Sequence, residues 1–346
     1  MKLRILIVGS FRWKMYSPAF YNAWKQQGHD VRYVDWNSYK NKGICTHFLD
    51  KVQSKYHIGI PLIKLNKDIL KEVEDFRPDF VFFYYCLDVF KSTYRIIKDA
   101  GIPFFTYMND DPFSRILLKP WCRRFHRSLP LADWNFVYRF KNIDDYKGIG
   151  VNNVSVLMPY FIEKNNFPMD LERNIPIAFM GHWENDGRDK YVSSLLEADV
   201  PLRIFGDYST WKKSSLYEKL IETHVLSPRK GGADYNHAIN QLQIAIVFLS
   251  KLNHDTYTRR CFEIPATKTC MLCEYTDDMN RLFPENECAV YFRNCSEFVE
   301  KAKWLIAHPE DCKRIGENSY CRLNEIGGSE FDRCKEIINK YIELNR

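Results

Sequence analysis

No stretch of about 18 consecutive apolar residues occurs anywhere in the 346-residue chain, so no membrane-crossing helix is expected. The apolar start, residues 3–8, is too short for a secretory h-region, and no small-residue cleavage site follows it. Gly-x-Gly-x-x-Gly does not follow the first apolar run: Gly9-Ser10-Phe11-Arg12-Trp13-Lys14 carries one glycine among bulky neighbours. A dinucleotide pyrophosphate could not approach such a backbone. A Walker A loop, a His-Glu-x-x-His zinc helix, a solenoid-length repeat and a local Ser–His–Asp or Cys–His signature are likewise missing. Charge is poorly biased: 50 Lys+Arg against 44 Asp+Glu gives +6. That fits an anionic substrate or a loose membrane-surface contact and does not argue for nucleic acid.

With 45% hydrophobic and 27% charged residues, the composition is that of an ordinary globular protein. The length suggests two domains. Eleven cysteines, an odd number, are scattered along a chain with no exporting signal, which reads as reduced thiols in a cytoplasm. Cys270 and Cys273 form a lone Cys-x-x-Cys inside an apolar run and read as buried strand residues, with a metal or redox site as the alternative.

Strand-length apolar runs alternate with helical periodicity. Strands are expected at 3–8, 31–34, 80–85, 104–108, 134–138 and 154–157. Helices are expected at 18–27, 65–76 and 90–100. The pattern then restarts, with strands at 175–180, 202–205, 244–249 and 270–273 and helices at 189–198, 299–307 and 331–344. A helix-like segment is expected at 260–266. Such alternation with buried strands means parallel sheets covered on both faces. The expected fold is α/β, two facing Rossmann-like domains over 1–162 and 163–330, with a polar join near 163–174 and a terminal helix over 331–346.

Ligands of parallel sheets bind beyond the carboxyl ends of the strands. This directs attention to 9–17, 108–111, 181–188, 206–208 and 253–263. The last stretch contains Asp255 and Glu263, two acids eight apart. It reads Arg260-Cys261-Phe262-Glu263-Ile264-Pro265-Ala266, then an apolar strand with Glu274, then Glu285-Asn286-Glu287-Cys288-Ala289-Val290-Tyr291-Phe292. Over about 175–340 the chain resembles the nucleotide-sugar glycosyltransferases of the two-Rossmann (GT-B) fold. Among these it looks most like the CgeB-like, spore-maturation branch of the group 1 enzymes. In the first half, Asn109-Asp110-Asp111-Pro112 after a strand is the main match.

The resemblance implies a metal-independent glycosyltransferase that needs no cofactor beyond its nucleotide-diphosphate sugar donor. Glu263 would accept from the ribose hydroxyls, as a carboxylate can. Arg260 would face the diphosphate and neutralise the leaving group. Asp255, Gly181, Arg188, His182 and Tyr235 complete the candidate donor site. Ser10 and Arg12 are acceptor-side candidates, with Asp111 and Asp110 as general base or acceptor contact. The terminal helix would pack back on the first domain.

Two departures from the group 1 pattern stand out: Asp255 is shorter than the usual Glu, and Thr267-Lys268-Thr269 replaces a glycine-rich turn. Blander readings compete. Glu263 could cap a helix or pair with Arg259, Arg260 could be a surface charge, and one of the paired aspartates could only start a turn. His182 and His254 read first as local hydrogen-bonders. Lys119, Arg123, Arg124 and Arg127 form a basic cluster that reads as a solvated helix face, or alternatively as a membrane-surface or anionic contact. The acceptor would be a glycan, glycolipid or protein, with no nucleic acid partner. Retention or inversion stays open, as do an epimerase on the same fold and a non-catalytic binding relative.

Overall fold

In the computed structural model the described residues are all but 40–51, 53, 54, 115, 116, 118–122 and 346. The chain divides into two compact units, one of Met1–Met158 with Glu330–Arg346 and one of Pro159–Ser329. The break falls a few residues before the polar join at 163–174.

The first unit holds a six-stranded parallel sheet in the order β2-β1-β3-β4-β5-β6. Its strands are β1 (Arg4–Gly9), β2 (Asp30–Asp35), β3 (Phe80–Tyr84), β4 (Phe104–Met108), β5 (Trp134–Val137) and β6 (Val154–Val156). Every residue of β3 and β4 is buried, as continuous apolar strands between two helical layers must be. Phe20 and Trp24 of the helix Ser17–Gln26 pack on Phe82, with ring centroids 5.3 and 5.5 Å away. Gly9 is required where that helix meets β1, because a β-carbon there would stand 2.1 Å from Ser17 Oγ. The C-terminal helix Glu330–Leu344 belongs to this unit: Trp24 Nε1 donates to the Cys334 carbonyl at 3.4 Å, and Tyr341 packs on Phe80.

The second unit repeats the plan, with the order β12-β11-β10-β7-β8-β9. Its strands are β7 (Ile175–Met180), β8 (Leu202–Gly206), β9 (Leu226–Pro228), β10 (Leu242–Val247), β11 (Cys270–Glu274) and β12 (Val290–Phe292). All pairings in both sheets are parallel. Ile177, Phe179, Ile204, Ile246 and Leu272 form one core with the helices Arg188–Glu197 and Cys295–Ala307.

Strand order locates the crevices. In the first unit the chain leaves β1 for β2 on one side and later fills β3 to β6 on the other. In the second it leaves β7 for β8 and β9, then crosses to β10 beside β7. The switch points are therefore β1/β3 and β7/β10, and their carboxyl ends are the ligand positions of such sheets.

Candidate functional site

At the β7/β10 switch point, β7 ends at Met180-Gly181. Arg260, first residue of the short helix Arg260–Glu263, donates from one guanidinium nitrogen to the Met180 carbonyl at 3.2 Å. A β-carbon on Gly181 would lie 3.0 Å from that nitrogen and 2.6 Å from the Phe179 ring. The guanidinium carbon stands 5.5 Å from the Phe179 ring centroid. Arg260 Nε is buried with no partner among the described residues. A buried donor without an acceptor is costly unless a ligand supplies one. Arg260 and Gly181, both expected at the donor, thus come together.

One helical turn on, Glu263 is 8% exposed. Arg259 Nε donates to its Oε1 at 2.6 Å and the Tyr235 hydroxyl to its Oε2 at 2.9 Å. Burial and the neighbouring carboxylate push the Tyr235 phenol well up, so it stays a donor. Tyr235 lies in the first turn of the helix Ala233–Asn240. The Glu263–Arg259 pair of the blander reading is real, and it coexists with the Tyr235 contact. Each carboxylate oxygen keeps a second lone pair.

The loop after β7 is built differently from expectation. Arg188 is 2% exposed, and its guanidinium is spent on Asp186, with Nε to Oδ1 at 2.8 Å, and on the His182 carbonyl. Its guanidinium carbon stands 5.6 and 5.9 Å from the ring centroids of Phe179 and Phe248. A guanidinium so engaged braces the loop and is not available to a phosphate. His182 is exposed, with Nε2 2.7 Å from Glu184 Oε1, and Ser250 donates to Glu184 Oε2 at 2.6 Å. Burial opposes ionisation of Glu184, but hydrogen bonds from His182 and Ser250 and the charge of Arg188 hold its carboxyl down at about 2. Glu184 therefore ties the end of β7 to the loop after β10. Sequence reading missed it because a Trp-Glu-Asn-Asp loop carries no motif. Asp255 closes that second loop through its N–H, which donates to the Ser250 carbonyl at 2.9 Å.

The segment Thr267-Lys268-Thr269 precedes β11 and sits at the amino edge of the sheet. Lys268 adopts the left-handed region itself (φ 58°). Arg173 takes the carbonyls of Thr267 and Lys268 at 2.9 and 3.1 Å and the Thr269 hydroxyl at 2.7 Å. The carbonyls of Thr267 and Lys268 and both threonine hydroxyls are thus occupied internally.

In the first unit Asp111 is fully buried. Its Oδ1 accepts from the Phe113 N–H at 3.0 Å and from Asn142 Nδ2 at 2.9 Å. A general base must reach the proton it removes, and Asp111 instead anchors the turn after β4. Asp110 is half-buried, with Oδ2 accepting from the Tyr85 hydroxyl at 2.9 Å. Tyr85, just past β3, holds a left-handed φ of 53°. Ser10 is buried and its Oγ accepts from the Arg12 N–H at 3.4 Å, whereas the Arg12 side chain is exposed beside Trp13. Of the basic cluster, Lys119 lies outside the described residues. Arg123, Arg124 and Arg127 fall on the helix Arg123–Ser128, where Arg124 turns inward to the His57 carbonyl.

Cys270 and Cys273 occupy opposite faces of β11, as residues three apart on a strand do. The Cys270 thiol is held well up by its hydrogen bond with Cys312 and by burial, the Cys273 thiol by burial and by Cys261. Among the described residues no group of His, Cys, Asp and Glu is placed to hold a metal ion, and no helix is long and apolar enough to cross a membrane. A groove of about 210 Å³ beside the helix Ala233–Asn240 is lined by Arg203, Phe205, Lys230 and His237, and by none of the residues expected at the donor.

This arrangement, two parallel six-stranded sheets covered by helices, is the GT-B glycosyltransferase fold. Residues 188–325, within the second unit, match the family model described as glycosyl transferase-like. No curated protein matches the chain in sequence. Among solved structures, sucrose-phosphate synthase of Thermosynechococcus elongatus superposes with a TM-score of 0.69 at 10% identity, covering 99% of each chain. Anabaena HepE in complex with UDP gives 0.70 at 8% identity, over 99% of this chain and 100% of that one. A protein described as a UDP-N-acetylglucosamine 2-epimerase, from Listeria monocytogenes, gives 0.60 at 10% identity, over 98% and 95%.

Proposed function

We propose that the chain is a metal-independent glycosyltransferase of the group 1, CgeB-like kind, moving a hexose from a nucleoside-diphosphate donor to an acceptor hydroxyl. The observation that carries this is Arg260, seated on Gly181 at the β7/β10 switch point with a buried, unpartnered Nε. A fixed cation at a strand end, where backbone can be approached closely, is what a departing diphosphate requires. It supplies the charge that a metal supplies elsewhere, so the donor is the sole small molecule needed.

Glu263 then meets the ribose diol through its remaining lone pairs, with Tyr235 and Arg259 fixing its orientation. The UDP bound to the structurally similar HepE supports a nucleotide on this fold. The first unit would hold the acceptor, a glycan, glycolipid or protein, with Ser10, Arg12 and Asp110 at its strand ends.

The epimerase-like neighbour makes a second reading specific, because an epimerase needs the same donor site and no acceptor. Calorimetric titration with UDP, followed by product analysis of UDP-glucose and UDP-N-acetylglucosamine with and without glycan acceptors, separates the two. An isomerised nucleotide sugar formed without acceptor favours the epimerase. No nucleotide binding at all removes both.

A further inference from the structure

The second sheet carries an arginine where its plan calls for an apolar residue. Strand β8 lies between β7 and β9, and all its residues are buried except Arg203, which is exposed. Leu202 and Ile204 fill the core on one face of the sheet. Arg203 and Phe205 turn to the other, because alternate residues of a strand share a face. There they line the groove of about 210 Å³ together with the helix Ala233–Asn240. The helix contributes Asp234, His237 and Ala238, and Gln241 follows at its end. Their spacing of three, four and seven residues puts all four on one stripe. Lys230, on the loop after β9, holds its ammonium 5.9 Å from the Phe205 ring centroid.

Three basic side chains thus open on one groove. Among the described residues, Arg203, Lys230 and His237 make no side-chain hydrogen bond and no ion pair, although Asp234 lines the same wall. Arg188, by contrast, would have to give up Asp186 to receive an anion. An anion reaching Arg203 or Lys230 displaces only water and gains charge-assisted hydrogen bonds. The floor between them is apolar, with Phe205 6% and Ala238 4% exposed. The groove falls below the roughly 300–1,000 Å³ of sites for drug-sized molecules. It is too small for a nucleoside-diphosphate sugar and has room for one phosphorylated monosaccharide. Asp234 decides between such an ester and a bare anion. An ionised carboxylate only accepts, so it repels phosphate but takes hydrogen bonds from sugar hydroxyls.

We propose that this groove is a binding site for a sugar monophosphate. The phosphate takes the guanidinium fork of Arg203 and the ammonium of Lys230, with a His237 ring N–H as a further donor. The sugar lies against Phe205 and directs hydroxyls to Asp234 and Gln241. Tyr235, on the same helix, points instead to Glu263 and lines no part of the groove. The site is therefore separate from the one built by Arg260 and Glu263, and it does not depend on what that site binds.

The test is calorimetric titration of the full chain with glucose 1-phosphate, glucose 6-phosphate, N-acetylglucosamine 1-phosphate, glucose and inorganic phosphate, with and without saturating UDP. At least one sugar phosphate should bind saturably, one per chain, more tightly than glucose or inorganic phosphate and equally well with UDP present. Arg203→Ala and Lys230→Ala should each weaken it about tenfold or more, as loss of a charge-assisted hydrogen bond does. Arg203→Lys should recover part of the loss. Lys303→Ala, which removes one charge from the helix Cys295–Ala307 on the other face of the sheet, should change nothing. Arg203 and Lys230 are exposed, so urea midpoints of their variants should match wild type. Asp234→Ala should narrow the preference for the ester over inorganic phosphate. No saturable binding of any sugar phosphate overturns the proposal, as does binding that UDP displaces or that both alanine variants leave intact. Inorganic phosphate bound as tightly as the esters, or a preference that Asp234→Ala leaves unchanged, overturns the sugar. A protein that binds a sugar phosphate but no UDP supports the groove and removes the transferase reading.

Discussion

Arg260 places a guanidinium nitrogen 3.0 Å from the point where a β-carbon on Gly181 would stand. The two residues lie 79 positions apart in the chain and meet because β7 and β10 are neighbours at the point where the strand order reverses. The Arg260 guanidinium and the Phe179 ring thus fill the space that a side chain at 181 would take, and a substitution on either side of this contact should be felt on the other.

Gly181→Ala puts a methyl group 2.6 Å from the Phe179 ring, closer than carbon atoms tolerate, so the ring or the guanidinium must move. The expected cost is about 1–3 kcal/mol of stability, read by urea denaturation. UDP affinity should fall as well. A variant as stable as wild type and binding UDP equally would show that the site does not depend on this contact.

Arg260→Ala should weaken UDP by a factor of ten or more and leave uridine binding nearly unchanged, since a charge-assisted hydrogen bond is worth about 1.5–3 kcal/mol. Comparing the two ligands isolates the diphosphate. Arg260→Lys should recover only part of the loss, because an ammonium cannot present the guanidinium fork. Equal losses for UDP and uridine would mean that Arg260 shapes the pocket without meeting phosphate.

Glu263→Gln keeps the shape of the side chain but removes the charge that orients Arg259 and accepts from Tyr235. Affinity for UDP should drop about tenfold or more, while 2′,3′-dideoxy-UDP should bind both proteins alike. A variant that still distinguishes the two ligands as wild type does would place the ribose elsewhere.

Much of this was legible in the sequence, and the parts that were not share a cause. Long apolar runs such as Phe80–Tyr84 and Ile175–Met180 announce themselves because a strand buried on both faces has no polar positions to confuse its pattern. The short strands β9 and β12, three residues each, carry too few positions for any period, and the helix Pro309–Glu325 is diluted by Gly316, Asn318 and Ser319. Gly316 is there because a β-carbon would stand 2.2 Å from the Lys268 carbonyl oxygen, a tertiary reason invisible to a local reading. At the site, the meeting of Arg260 with Gly181 followed from strand-end logic. Whether a charged side chain is spent on a neighbour did not. Arg188 looked identical to Arg260 as a phosphate ligand, and only the nearby Asp186 separates them.

Acid should expose the role of Glu184. Its carboxyl binds a proton at about 2 in the folded protein and near 4.5 when unfolded. The stabilisation it gives is therefore complete above about 4.5 and drains away as pH falls toward 2. The span of roughly 2.5 units corresponds to about 3 kcal/mol at most, shared with His182 and Ser250, which would lose their acceptor. Glu184→Gln should therefore be less stable than wild type at pH 7 by a sizeable part of that amount, and the gap should narrow as pH falls below about 4.5 and close only as it passes below about 2. Urea midpoints of both proteins across this range give the comparison. A gap that persists unchanged at low pH would mean that the carboxylate charge contributes nothing and that the loop after β7 is held by shape alone.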